Sequence, residues 1–257
     1  MRIAGFVSTR LAGADGVGLG VGQVEDRRPV VSGRAAGPWV LFALLPVVLF
    51  ACGPEPTVEE TRPPPPLTVM TYNLFVFNQN PEAAIEAILN ADPDVVVLQE
   101  VTPGWAPYLR RRLSRNYPHM ALAPEVKRMD VGVISRYPLR NATWLPARTD
   151  WVPACRVQLR HPDGLVQILG IHLRPPLWAP GGLTLTRLIR VGSEHLTDLR
   201  YYVGRLDADQ PTLIAGDFNE ADRGRAIRWL TETRGMASAL GQIDPKSPTW
   251  HADLGFY

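Results

Sequence analysis

Five polar side chains stand out because each closes, or directly follows, an apolar run rich in β-branched residues. They are Asn73 in Thr71-Tyr72-Asn73-Leu74, Glu100 in Leu98-Gln99-Glu100-Val101, His172 in Gly170-Ile171-His172-Leu173, and Asp217 and Asn219 in Gly216-Asp217-Phe218-Asn219. A strand leaving a sheet presents its last side chains to whatever binds there. Amides, carboxylates and an imidazole so presented suit a hard metal ion beside a phosphate group. Glu100 is the best candidate metal ligand, because a carboxylate straight after an apolar strand is costly unless paired or coordinated. On these residues alone, a salt bridge to an arginine serves equally well. Asn73 could supply a neutral oxygen or orient a metal-bound water. Asp217 and Asn219 lie two apart, so alternation aims both the same way if strand geometry continues that far. An Asx-turn suits the same tetrapeptide. A lone histidine such as His172 is by itself more often a satisfied core residue than a catalyst.

Several elements must position these residues. Strands are expected over 67–72, 94–99, 131–135, 155–159, 166–171 and 211–215, with Pro162-Asp163-Gly164 as a hairpin turn. A helix starts at Asn80-Pro81, an N-cap followed by a proline at the first helical position, and stops at Asp92-Pro93. Others are expected over Trp105–Leu113, Thr184–Leu206 and Ala226–Thr233. In the longest, Leu185, Leu188, Ile189, Gly192, Leu196, Leu199, Val203 and Leu206 recur at helical spacing and predict one core-facing stripe. Hairpin strands mixed with helix-linked strands define an α/β or α+β domain. His119 in a loop, His161 before a turn and His195 on the long helix read as structural or exposed. Arg110, Arg111, Arg112 and Arg115 read as a solvated helix face. With 27 basic against 25 acidic residues, the chain lacks the charge footprint of a protein gripping long duplex DNA.

The first 66 residues are of another kind. Trp39 to Ala51 is an apolar run preceded by Arg27, Arg28 and Arg34. A membrane-spanning helix needs about 20 residues, whereas this length matches the apolar core of a signal peptide. Leu49-Phe50-Ala51-Cys52 resembles a bacterial lipoprotein processing site, although Phe50 is bulky there. That makes residues 1–52 a leader and Cys52 a lipidated residue anchoring the chain at the cell envelope or surface. An ordinary signal peptide with secretion is the alternative. Residues 53–66 end in four prolines and read as an extended spacer. With Cys52 acylated, Cys155 has no partner, so the domain from 67 to 257 stands on its core.

Taken in order, the tetrapeptides resemble the endonuclease/exonuclease/phosphatase superfamily, which includes pancreatic deoxyribonuclease and neutral sphingomyelinases. Asp130-Val131-Gly132-Val133-Ile134-Ser135-Arg136-Tyr137-Pro138-Leu139 is similar to another strand of that family. The resemblance implies a four-layer sandwich of two packed mixed β-sheets flanked by helices. It implies a hydrolase acting on phosphoesters, with Glu100 and Asn73 at a Mg²⁺ site (Mn²⁺ as the alternative). It further implies that Asp217 positions or deprotonates the attacking water, that Asn219 contacts phosphate, and that His172 stabilises phosphate or protonates the leaving group. Nucleic acid or a phospholipid head group is the expected substrate, with no obligate protein partner. The family's closing strand, with its Asp-His pair, is expected where the chain ends at Tyr257, so the domain reads as incomplete at that strand. His251 lacks the adjacent aspartate and is not assigned. Two rival expectations are a non-enzymatic binding module of the same fold and an inactive fragment of a longer enzyme.

Overall fold

The computed structural model describes residues 66–123, 129–176 and 184–243. The leader with Cys52, residues 53–65 of the spacer, and His251 lie outside the described residues.

Two four-stranded sheets carry the fold. The first contains β1 (Val69–Asn73), β2 (Val95–Val101), β3 (His119–Ala121) and β4 (Asp130–Ser135), in the order β1-β2-β4-β3. The second contains β5 (Leu139–Leu145), β6 (Ala154–His161), β7 (Gly164–His172) and β8 (Thr212–Asp217), in that order. Both are mixed: β1 runs parallel to β2 and β7 parallel to β8, while the other pairs are antiparallel. The helices are α1 (Pro81–Ala91), α2 (Trp105–Leu113), α3 (Leu185–Val203), α4 (Arg225–Arg228) and α5 (Ala239–Ile243), and α4 continues into a π-helical turn over Trp229–Thr233. Asn80 caps α1 by accepting from the Ala83 N–H at 3.2 Å, and left-handed Asp92 closes it.

Strand alternation sorts the apolar residues into three cores. Val95 and Val97 join Val131, Val133, Cys155, Val157, Ile168, Leu213 and Ala215 between the sheets. Val96, Leu98 and Ile134 face α1 and α2 through Ile85, Ile88, Leu109 and Leu113. Leu169, Ile171 and Ile214 face the other helical layer through Leu199, Tyr202, Ile227 and Leu230. This is the four-layer sandwich. The sheets approach tightly at Gly170, where a Cβ would lie 2.8 Å from Val131 Cγ1 and 2.9 Å from Val97 Cγ1. Cys155 is a buried free thiol in this central layer.

The structure corrects several local expectations. Leu188 and Ile189 do not face the core: they are 42% and 54% exposed. Leu199 and Val203 are buried as expected, and Val191, His195, Asp198 and Tyr202 complete the buried face. Two polar residues share that face, so a stripe chosen by apolarity alone included Leu188 and Ile189 and passed over His195 and Asp198. His119 opens β3 rather than lying in a loop. β5 was not anticipated because its residues are mostly exposed and Asn141, at φ 53°, interrupts its pairing with β6. The cationic face of α2 is exposed as expected.

Candidate active site

Asn73, His172 and Asp217 are the last residues of β1, β7 and β8. All three lie on the faces turned toward the opposite sheet, as their neighbours Val69, Ile168, Leu213 and Ala215 show. Glu100 arrives differently. It does not end a strand but lies inside β2, one residue before the strand's end. Regular alternation would send it with Val96 and Leu98 toward the helices. However, Leu98 pairs with Gly132 and Val101 with Asp130, so β2 carries one extra residue. Glu100 takes up that residue in a left-handed conformation at φ 58°, which turns its carboxylate to the site. Gln99 is held on the same side by Thr71, whose Oγ1 accepts from its Nε2 at 3.0 Å.

The four groups converge. The Asn73 side-chain N–H₂ donates to Glu100 Oε1 at 3.0 Å and to Asp217 Oδ2 at 3.2 Å. His172 Nε2 lies 3.9 Å from Glu100 Oε1 and 4.0 Å from Asp217 Oδ2. Glu100 Oε2 accepts from the Val76 N–H at 2.6 Å, and Asn73 Oδ1 from the Phe75 N–H at 2.9 Å. Glu100 is only 2% exposed and His172 3%. The Trp151 ring meets the His172 ring edge to face at 5.9 Å, and the Arg174 guanidinium lies 4.9 Å above Trp151.

Asn219 is placed beside the cluster but spends itself locally. Its N–H donates to Asp217 Oδ1 at 2.9 Å, the expected Asx-turn, and its Nδ2 donates to the Leu173 carbonyl at 2.8 Å. Gly216 permits this turn. Its φ is 145°, and a Cβ there would sit 1.9 Å from the Ile171 carbonyl oxygen.

Sequence reading missed the residues that hold these loops. Asp198 accepts from the Arg148 and Thr149 N–H groups at 2.6 and 3.1 Å and from the Thr149 hydroxyl, fixing the loop that carries Trp151. His195 lies between Arg174 and Glu220. The signal for both was positional: with Val191, Leu199 and Tyr202 they complete one helical stripe. No sequence pattern pointed to Trp151. Asp130 also belongs to this end of the sheet, opposite Val101 in the ladder. Burial pushes its carboxyl up to about 6.

The donor set suits a divalent cation. Two buried carboxylates share one amide nitrogen, and like charges so placed repel unless a positive charge joins them. Among the described residues, no group of three His, Cys, Asp or Glu side chains forms a ready metal cage. Mg²⁺ does not need one, since it takes one or two carboxylates and keeps several waters.

The chain belongs to the Endonuclease/Exonuclease/phosphatase family, whose profile matches residues 70–257. That is a family of phosphoester-hydrolysing enzymes, typically dependent on a divalent metal. Among solved structures, a humanised D. rerio TDP2 carrying 14 mutations shares 17% identity over 66% of this chain and 72% of its own, with a TM-score of 0.51. Sphingomyelinase C from Streptomyces griseocarneus shares 20% identity over 65% and 69%, with a TM-score of 0.50. Both likenesses concern the fold. A comparison with curated proteins returns no match.

Proposed function

We propose that this chain is a Mg²⁺-dependent phosphodiesterase acting outside the cytoplasm, on nucleic acid or on phospholipid head groups. The observation that carries the reading is the convergence of Asn73, Glu100, His172 and Asp217, from four strands of two sheets, on one buried point. Glu100 and the Asn73 carboxamide would hold the metal, which supplies charge neutralisation at the phosphoryl oxygens. Asp217 accepts a proton from, or orients, the attacking water. His172 donates to a phosphoryl oxygen or to the leaving group. Asn219 spends one amide proton on Leu173 and offers the other to phosphate. Burial strengthens each of these contacts, because the surrounding dielectric is low. A lipid on Cys52 would hold the domain at the envelope, near such substrates.

The test is release of nitrophenol from bis(p-nitrophenyl) phosphate, with single-stranded DNA and sphingomyelin in parallel, under Mg²⁺, Mn²⁺ or EDTA. Glu100→Gln keeps the size and removes the charge. It should lower turnover at least ~10²-fold while the protein stays folded. Wild-type protein that turns over none of the three substrates with either metal overturns the reading.

A further inference from the structure

Beyond the ends of β7 and β8, the chain continues into two loops that carry the reacting groups. The ladder itself stitches the first rungs. His172 pairs with Asp217, the Leu173 N–H donates to the Asp217 carbonyl at 2.8 Å, and Asn219 Nδ2 donates to the Leu173 carbonyl. One residue further on, the strands have separated and no direct rung joins Arg174 to Glu220. His195 fills that gap. Its Nε2 lies 2.7 Å from the Arg174 carbonyl oxygen and its Nδ1 lies 3.0 Å from Glu220 Oε1. A carbonyl can only accept, so Nε2 carries a proton and donates. The second contact sets an imidazole nitrogen at hydrogen-bonding distance from a carboxylate oxygen. Glu220 is anchored in turn, its Oε2 accepting from the Ala226 N–H at 2.9 Å. The whole unit is buried, with side-chain exposures of 2% for His195 and 7% for Glu220.

We propose that His195 is a positioning residue of the active site: its imidazole bridges the loop after His172 to the loop after Asp217 and sets the distance between those two groups. It acts through Arg174 and Glu220 and touches no substrate. The same helix holds the Trp151 loop through Asp198, so α3 is the rigid element against which the site is aligned.

The inference rests on the phosphodiesterase reading for its kinetic arm and is independent of it for its spectroscopic arm. Wild type, His195→Ala, His195→Gln and Leu199→Ala are compared. Leu199 is buried on the same helix, in the apolar cluster that also holds Leu173 and Phe218, so its variant controls for lost packing beside the same two loops. Expected for His195→Ala is a fall in kcat of ~10²-fold on bis(p-nitrophenyl) phosphate, with KM little changed, the signature of misplaced rather than missing groups. His195→Gln, which keeps an N–H donor toward Arg174, should recover about tenfold of that loss and serves if the alanine variant does not fold. Leu199→Ala should lower Tm with kcat within about twofold. In metal-free protein labelled at its five histidines, the His172 ring signals should move in both His195 variants and stay in Leu199→Ala. Unmoved His172 signals, or equal kcat losses in His195→Gln and Leu199→Ala, overturn the proposal. A wild type without activity refutes the phosphodiesterase reading, and the His172 signals still decide the role of His195.

Discussion

Asp130 offers a direct test of how burial acts at this end of the sandwich. It opens β4, is nine-tenths buried, and its Oδ1 has no hydrogen-bond partner among the described residues. Burial pushes its carboxyl from the ordinary 3.8 up to about 6. Below pH 4 the group is neutral in both the folded and unfolded chain, and no charge penalty applies. Between about pH 4 and 6 the unfolded chain has lost the proton while the folded chain keeps it. Folding therefore takes up a proton in that window, and stability falls as pH rises. Above pH 6 both states are ionised and the folded state carries a buried charge. A rise of about two pH units, at 1.36 kcal/mol each, makes the cost at neutral pH about 3 kcal/mol. That is a large fraction of a typical 5–15 kcal/mol total. Asp130→Asn removes the charge at nearly constant size. Urea unfolding of both proteins in EDTA, from pH 4 to 8, should show the variant gaining about 3 kcal/mol relative to wild type between pH 4 and 7. Cys155 does not confuse this window, because burial and the nearby Asp130 push its thiol up to about 12. A difference between the two proteins that is flat with pH would refute the reasoning, even if the variant were more stable throughout.

Two further outcomes follow from geometry and sequence. Gly170→Ala places a methyl group against Val97 and Val131 in the tight space between the sheets, and should cost about 1–3 kcal/mol in urea unfolding. Cys52→Ser should abolish fatty-acid labelling and release the protein from membranes; a mature N-terminus elsewhere, without label, defeats the anchor.

Much of the architecture was legible because local physics wrote it into the chain. Valine-rich runs too short for helices became β2 and β4, Asn80-Pro81 began α1 where capping demands it, and a two-residue turn between His161 and Gly164 set the β6–β7 hairpin. The polar residues that close or follow those runs were therefore visible as candidates. Their convergence was not. Asn73, Glu100, His172 and Asp217 are separated by up to 144 positions, and only the stacking of two sheets brings their polar atoms within 4.0 Å of one another. Glu100 shows the limit most clearly. Alternation alone would aim it at the helices, and one extra residue in β2, read against β4, turns it inward. The face of α3 was likewise decided by tertiary contacts. His195 and Asp198 are polar, so a search for apolar periodicity passes over them. They are buried because the loops they hold supply the hydrogen bonds that make burial tolerable. The residues thus determined which elements form and which chemistry was available, while packing between distant strands decided where that chemistry is concentrated.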